Sequence, residues 1–167
     1  MEIISINEFS DKKQFLDFDC GEPALNTYLR KYATQNERTG YGRTFLALEN
    51  GRLIGFYTLV VSSMQRDGLQ TNLIKRLPKY PVPCILIARL AVNKSDQKRK
   101  VGKQMLFDAL RKAVHIADYC GVAMVAVESK PGAVEFYKAA GFESITDNGL
   151  VFAIHINAII SALAGQK

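Results

Sequence analysis

The stretch that decides the fold runs from Cys84 to Leu106 and reads CILIARLAVNKSDQKRKVGKQML. Its apolar first half predicts a strand, its polar middle predicts a short loop, and the spacing from Val101 onward predicts a helix. A strand, a loop and a helix in this order point backbone N–H groups and the positive helix end at an anion. Gly102 lies at the predicted helix start, where it allows close approach of the backbone. The stretch therefore favours a pyrophosphate site.

The same loop concentrates positive charge. Its basic residues, set against one acid at Asp96, are Lys94, Lys98, Arg99, Lys100 and Lys103. Such a turn favours phosphate groups, but a solvated basic loop before an ordinary helix has the same composition. The decision between the two interpretations comes from the rest of the chain.

Length and composition are those of one globular domain, which we expect to span residues 1–167. Apolar residues make up 48% and charged residues 23%, values typical of a soluble protein. The net charge is +6 and the pI is about 9.3, which favours anionic partners such as nucleic acid or phosphorylated cofactors.

The chain shows no apolar run of the roughly 20 residues that a membrane span needs, so we expect no membrane association. Its first residues, MEIISINEF, lack the basic and apolar regions of a signal peptide. Three widely spaced cysteines predict reduced thiols rather than disulfides or a metal site. We therefore expect a cytoplasmic protein.

Periodicity predicts a mixed α/β sheet, because strands dominate the first half and a βαβ unit follows. Asn50-Gly51, between two apolar segments, is the strongest hairpin signal. The predicted strands cover 1–5, 44–49, 52–61, 84–92, 121–129 and 150–160. The predicted helices cover 21–35, 101–119 and 131–142, and 64–83 is predicted to be a loop. The first helix has a predicted apolar stripe of Ala24, Leu25, Tyr28, Leu29, Tyr32 and Ala33, and Arg30, Lys31 and Glu37 fall off that stripe. The second has a predicted buried stripe of Val101, Met105, Ala109, Leu110, Ala113, Val114 and Ala117.

Four longer segments point to a family. They are FDCGEPALNTYLRKYATQNERTGYGRTFLAL at 18–48, GFYTLVVSSM at 55–64, LPKYPVPCILIARLAV at 77–92 and EFYKAAGF at 135–142. With the strand, basic loop and helix already described, they resemble the GNAT acyltransferases. Within that superfamily they are similar to the GNAT toxins of bacterial toxin–antitoxin pairs.

The resemblance implies a single-domain α/β GNAT acyltransferase fold, with a mixed, mostly antiparallel splayed sheet and flanking helices. It implies an acetyl-CoA-dependent N-acetyltransferase without a metal, which acetylates the α-amine of aminoacyl-tRNA and blocks translation. It also implies a ribbon-helix-helix antitoxin, whose tail covers the active site, and a homodimer.

The resemblance also implies site residues. Backbone groups of Leu90, Ala91 and Val92 would pair with the pantetheine amides of CoA. The pyrophosphate would lie on the loop residues Gln97, Lys98, Arg99, Lys100, Val101, Gly102 and Lys103. Tyr137 matches the general acid of the family. Lys100 departs from the family pattern, because glycine normally stands there and keeps a Cβ away from the pyrophosphate.

The acceptor side is less specific. Arg89 lies inside an apolar strand and must reach solvent, a cleft or an acid, so it is a candidate to hold the acceptor or a phosphate. The further substrate-binding candidates are Asn36, Arg38, Arg43, Lys75 and Arg76. Glu128, at the end of a predicted strand, is a candidate general base, but a solvated strand-end carboxylate is the better interpretation. His115 and His155 lack a pattern of catalytic partners, and we expect them to be structural.

Two other functions stay open at this point. One is a GNAT enzyme that acetylates a small amine or a protein N-terminus. The other is a catalytically impaired CoA-binding module, which the lysine at position 100 suggests.

Overall fold

The computed structural model describes residues 1–65 and 81–165. Its strands form a seven-stranded open sheet in the order β1-β2-β3-β4-β5-β7-β6. They are β1 (Glu2–Ser5), β2 (Arg43–Glu49), β3 (Arg52–Met64), β4 (Val82–Val92), β5 (Met124–Glu128), β6 (Glu143–Ser144) and β7 (Val151–His155). Strands β4 and β5 pair in parallel, whereas β1–β2, β2–β3, β5–β7 and β6–β7 are antiparallel. The predicted mixed, mostly antiparallel α/β sheet is confirmed.

In the described residues, the α-helices lie between or after the strands along the sequence. They are α1 (Gln14–Asp17), α2 (Pro23–Thr27), α3 (Ala33–Thr39), α4 (Val101–Ala117), α5 (Val134–Ala139) and α6 (Ile156–Ala164). A π-helix spans Tyr28–Tyr32, and 3-10 turns span Lys94–Asp96 and Pro131–Ala133. None of these helices is long and apolar enough to cross a membrane.

The chain divides into two compact units, each with its own core. The first unit comprises Met1–Val60 and Ala88–Ala109, and its core includes Phe18 against Phe56, edge to face at 5.5 Å. The second unit comprises Val61–Ile87 and the residues from Leu110 onward. Its core includes Val82, Cys84, Met124, Ala126, Ile145 and Ala153. That residues 1–167 form one domain stays a prediction.

The Asn50-Gly51 hairpin is confirmed. Asn50 and Gly51 have φ angles of 52° and 76°, as a two-residue turn with both residues left-handed requires. The register shifts between Ala47, which faces Gly55, and Leu48, which faces Leu53. Ile54 is thus the extra residue of a bulge. Its carbonyl accepts a hydrogen bond from the N–H of Asn93 at 2.8 Å, just beyond the end of β4.

The helix predicted over 21–35 forms, but it begins at Pro23, continues to Thr39 and is not α-helical throughout. The N–H of Ala33 donates to the carbonyl of Tyr28, the five-residue spacing of a π-helix. Compared with an uninterrupted α-helix, this wide turn moves the residues that follow it to a different face of the helix. Tyr32, expected to be buried, is 48% exposed, and Glu37, expected to lie off the apolar stripe, is only 5% exposed.

The strand predicted over 150–160 is wrong in its second half. Strand β7 ends at His155, and the next residues form α6, with Ile156 and Ile159 buried one helical turn apart. The His155 side chain caps this helix, because its Nδ1 accepts a hydrogen bond from the Asn157 N–H at 3.2 Å. The short strand β6 was not predicted.

The predicted loop over 64–83 lies largely outside the described residues. Its two ends belong to strands, because β3 includes Met64 and β4 starts at Val82. On α4 the predicted apolar stripe is confirmed at Val101, Met105, Ala109, Leu110 and Ala113, all of which are buried. Val114 and Ala117, predicted to belong to the same stripe, are only half-buried.

Candidate active site

Strand β4 and the start of α4 approach β3 closely at one glycine. A Cβ on Gly55 would lie 2.9 Å from the carbonyl oxygen of Ala91 and 2.9 Å from the Met105 side chain. Contacts this short do not occur for real Cβ atoms, so any larger residue at this position would displace the strand or the helix. Gly55 therefore helps to set the position of Leu90, Ala91 and Val92, whose backbone is predicted to bind CoA.

The loop that follows β4 is built around a buried carboxylate. Asp96 is 1% exposed and accepts two hydrogen bonds from Arg52, at 2.8 and 2.7 Å. Arg99 adds a contact of 2.5 Å and also binds Glu49 at 3.0 Å. The Arg52 hydrogen bonds, followed by those of Ser95 and Arg99, lower the pKa of Asp96 to about 2 despite its burial. The carboxylate is therefore charged at neutral pH and fixes the turn.

Two further side chains attach the loop to the segment before α2. The Gln97 amide donates to the carbonyl oxygens of Cys20 and Val92, at 3.0 and 3.1 Å. Lys94 pairs with Asp19 at 2.8 Å, and this hydrogen bond is the main reason why the pKa of Asp19 lies well below its usual range. The side chains of Gln97 and Arg99 thus stabilise the loop through contacts within the protein. The groups of these two residues that a ligand could bind are those of the backbone.

Two lysines of the loop have left-handed backbone conformations. The φ angles of Lys98 and Lys100 are 65° and 64°. For a residue with a Cβ this conformation costs about 1–2 kcal/mol. The lysine at position 100 therefore takes a backbone conformation that glycine adopts without this cost. The loop keeps a turn suited to glycine although glycine is missing.

The geometry around the helix start fits a pyrophosphate. The N–H of Gln104 donates to the carbonyl of Lys100 at 3.1 Å. The N–H groups of Val101, Gly102 and Lys103 precede it, where a helix offers no acceptor of its own. Lys98, Lys100 and Lys103 are exposed, and within 1–65 and 81–165 none of them forms an ion pair. The loop thus combines free ammonium groups with the amides of a helix N-terminus.

Arg89 lies on β4 directly before Leu90, with its guanidinium carbon 3.7 Å from the centre of the Tyr28 ring. Tyr28 belongs to the π-helix and is 4% exposed. Among the described residues, its buried hydroxyl oxygen has no hydrogen-bond partner. Arg89 itself is half-buried, and its described contact is a cation–π contact with this aromatic ring.

The other acceptor candidates differ in their surroundings. Arg43 binds the carboxylate of Glu37 at 3.0 Å, and that carboxylate also accepts the Thr44 N–H at 2.8 Å. Arg43 therefore neutralises a buried acid. Arg38 is exposed on α3, and Asn36 is half-buried beside it. Lys75 and Arg76 lie outside the described residues.

Tyr137, the predicted general acid, lies on α5 and is 6% exposed. Its ring contacts Phe136 and Phe142 edge to face, at centroid distances of 5.0 and 5.7 Å. Burial raises the pKa of Tyr137 to about 12, so its hydroxyl keeps its proton at neutral pH. Such a group can donate a proton but cannot act as a base before it has done so.

Sequence reasoning missed the supporting residues. Tyr28 was assigned to an apolar stripe, and Asp96 was only the single acid among the basic residues. No local signal marks Arg52 as the partner of Asp96, because the two are brought together by the hairpin and β4.

The potential catalytic histidines have structural surroundings: His155 caps α6, and His115 packs against Tyr119 at 5.2 Å. No cluster of three or more potential metal ligands occurs among the described residues.

Comparison with known proteins gives a consistent result. The sequence profile of the Acetyltransferase (GNAT) family matches residues 7–142. A tRNA-acetylating toxin of Mycobacterium tuberculosis is 37% identical to the chain over 120 residues, which cover 72% of each protein.

Solved structures agree over nearly the whole chain. A tyrosine-to-phenylalanine mutant of KacT superimposes with a TM-score of 0.85 at 25% identity, covering 96% of this chain and 98% of that one. AtaT in complex with acetyl-methionyl-tRNAfMet gives 0.85 at 24% identity, with coverages of 97% and 98%. AtaTR bound with acetyl-CoA gives 0.79 at 23% identity and covers 97% of both. This chain is an acyltransferase that belongs to the acetyltransferase (GNAT) family.

Proposed function

We propose that this chain transfers the acetyl group of acetyl-CoA to the α-amine of aminoacyl-tRNA and thereby inhibits translation as a toxin. The observation that carries this proposal is the 37% identity with a tRNA-acetylating toxin over 72% of both proteins. The basic loop with its glycine-like turn supports it, because an acetyltransferase of this family needs a site for the CoA pyrophosphate.

Residues of the first unit would bind acetyl-CoA, which supplies the acetyl group as a thioester. Backbone groups of Leu90, Ala91 and Val92 would bind the pantetheine arm as an added strand. The amides from Val101 to Lys103 would bind the pyrophosphate, with the ammonium groups of Lys98, Lys100 and Lys103 around it. Gln97 and Arg99 would contribute by holding the turn.

The chemistry needs few protein groups. An α-amine titrates near pH 7.7–8 in peptides, so a useful fraction of the acceptor is already neutral at physiological pH. A dedicated general base is therefore not required. Tyr137 would supply the proton that the departing thiolate takes up, and its burial keeps that proton in place until then.

The positive charge of the chain fits the acceptor. With a net charge of +6 and three loop lysines that form no ion pair with any described residue, the protein attracts a polyanion such as tRNA. Arg38, exposed on α3, is the clearest further candidate for a phosphate contact. Asn36 lies next to it on the same helix.

We further propose that an antitoxin controls the enzyme. AtaT forms a complex with AtaR that binds DNA, and a KacTA–DNA complex is known. We expect a neighbouring gene to encode a ribbon-helix-helix protein with an acidic or apolar tail that covers the active site. We also expect a homodimer and a cytoplasmic location. If the chain expressed alone leaves growth and translation unaffected, the toxin proposal is wrong.

The direct test is incubation of the protein with radiolabelled acetyl-CoA and a total pool of charged tRNA. We expect label in the tRNA fraction, and none after the same tRNA has been deacylated. A small amine and a protein N-terminus should be poor acceptors in parallel reactions. Label that appears in those acceptors but not in charged tRNA would contradict the proposal.

Cofactor binding is tested separately by thermal unfolding. At a hundredfold excess over Kd, acetyl-CoA should stabilise the fold by about 2.7 kcal/mol. A melting temperature unchanged at millimolar acetyl-CoA would exclude the CoA site. If the melting temperature rises as expected but no acetyl group is transferred, the protein would instead be a CoA-binding module.

A further inference from the structure

Arg89 is a half-buried cation whose described contact is an aromatic ring. Its guanidinium lies over Tyr28, and among the residues that the structure describes it forms no ion pair and no hydrogen bond. A guanidinium carries five N–H donors, and burial without acceptors for them is unfavourable. The guanidinium is nevertheless held in place, because its central carbon lies 3.7 Å from the centre of a buried ring. Arg89 thus offers fixed donors to an acceptor from outside the chain.

The position of Arg89 limits what that acceptor can be. This step rests on the proposed function, in which the pyrophosphate lies on the loop after β4. The pantetheine arm then runs back along β4 from Val92 towards Leu90, and the thioester end comes nearest to Arg89. The reacting amine must come within about 3–3.5 Å of the thioester carbon. The chemical groups of the acceptor that reach Arg89 are therefore those adjacent to the amine.

In an aminoacyl ester the nearest hydrogen-bond acceptor to the α-amine is the carbonyl oxygen of the aminoacyl group. The nearest phosphate lies beyond the ribose. We propose that Arg89, held against the Tyr28 ring, binds the carbonyl oxygen of the aminoacyl group, so that the enzyme recognises an α-aminoacyl unit rather than an amine alone. Arg89 is then a substrate-binding residue, and Tyr28 is a positioning residue that acts through it.

Tyr28 provides an unusual control. Its buried hydroxyl has no hydrogen-bond partner within residues 1–65 and 81–165, a situation that destabilises a folded protein. Phenylalanine keeps the ring under the guanidinium and removes the unpaired oxygen. Y28F should therefore melt at a higher temperature than the wild type and keep its acceptor recognition. Y28L removes the ring and should lose that recognition, although Arg89 is still present.

The experiment compares two stable, phosphate-free probes by calorimetric titration in the presence of CoA. One is an adenosine that carries an aminoacyl group through a 3′-amide, and the other has a trans carbon–carbon double bond in place of the amide, so that it lacks the carbonyl oxygen without gaining a basic nitrogen. The wild type should bind the carbonyl probe about 10–100-fold more tightly, as expected for a hydrogen bond to a charged donor. R89M should bind both probes equally, and R89K should recover part of the difference.

Two results would overturn the inference. The first is an R89M protein, folded by its melting curve, that still prefers the carbonyl probe. The second is a loss that R89M shows only with phosphate-bearing aminoacyl-tRNA and that disappears at high salt, because Arg89 would then bind a phosphate. If the wild type does not acetylate charged tRNA at all, the proposed function fails. The probe titration still decides whether Arg89 reads the carbonyl.

Discussion

Lys100 combines a favourable charge with an unfavourable backbone conformation. Its φ of 64° costs more for lysine than for glycine, whereas glycine has the larger entropy in the unfolded chain. We expect K100G to raise the free energy of unfolding by about 0.5–1 kcal/mol, measured as a shift of the urea midpoint. K98G, at a φ of 65°, should change stability in the same direction. K103G, inside α4, should change it in the opposite direction, and a destabilised K100G would contradict the argument.

The same variant should bind CoA several-fold more weakly. The turn already has its final backbone conformation, so glycine removes the ammonium group without improving the geometry. One partly exposed contact with a phosphate is worth about 1 kcal/mol. Equal or tighter binding of CoA by K100G, measured by calorimetry, would show instead that the lysine Cβ obstructs the ligand.

Tyr137 can be tested with a change that keeps its ring. Y137F retains the packing against Phe136 and Phe142 and removes only the proton donor. We expect kcat for aminoacyl-tRNA to fall about 10²–10⁴-fold, the usual value of general acid catalysis. CoA affinity and melting temperature should change little. Y119F, at a tyrosine that is 80% exposed, is the matched control, and an unchanged kcat in Y137F would remove the assignment.

At the scale of elements, Asp96 makes the loop between β4 and α4 sensitive to acid. Its pKa in the folded protein is about 2, below the ordinary value of 3.8, so the charged form stabilises the fold. This contribution is complete above about pH 4 and is lost as the pH falls towards 2. We expect D96N to lose about 2 kcal/mol at pH 7, since it weakens the contacts with Arg52 and Arg99.

The measurement is the urea midpoint of wild type and D96N from pH 7 down to pH 2. The difference between the two proteins should shrink as the pH falls below 4, because the unfolded wild-type chain then binds a proton at Asp96 that the folded protein takes up only near its pKa of about 2. D118N is the control, because Asp118 is an exposed acid directly after the end of α4. This variant should have the same urea midpoint as the wild type at every pH. A D96N deficit that is constant with pH would show that charge does not hold this loop.

Elements whose conformation is set by neighbouring residues could be predicted from the sequence, whereas elements that depend on distant contacts could not. Asn50-Gly51 specifies its turn through its own φ angles, and the hairpin was predicted correctly. The apolar residues after His155 fit a strand or a helix equally well, and the cap that decides for a helix comes from the preceding strand end. A one-residue change of helical register at Tyr28–Tyr32 leaves no mark in the sequence pattern.

The candidate site shows the same division. The loop proposed to bind the pyrophosphate could be predicted from strand, charge and helix spacing, since all of its residues are neighbours in sequence. The contact between Arg89 and Tyr28 joins two distant segments, so periodicity could assign Tyr28 only to a buried face. The burial of Asp96 likewise depends on Arg52, which the hairpin presents from another strand.

At the scale of the whole molecule, the positive charge should make tRNA recognition dependent on salt. If phosphate contacts hold the acceptor, the logarithm of affinity falls linearly with the logarithm of salt concentration. R38Q should reduce that slope by about one unit and leave CoA affinity unchanged, as measured by filter binding and calorimetry. R43Q is a poor substitute, because it also leaves Glu37 without its cation. Affinity that does not vary with salt would argue against tRNA as the acceptor.

The wide turn at Tyr28–Tyr32 contains one residue more than an α-helical turn, which corresponds to one codon in the gene. A single residue inserted into a straight α-helix would rotate everything after it by about 100°, whereas a wide turn takes up the extra residue and restores the original face. Deleting one codon there should therefore keep the reading frame, give a straight helix and leave Glu37 beside Arg43 and Thr44. Relatives with a straight helix should therefore align with this chain only when a one-residue gap is placed between positions 28 and 32. Ungapped alignments would pair residues of the following helix with the wrong counterparts.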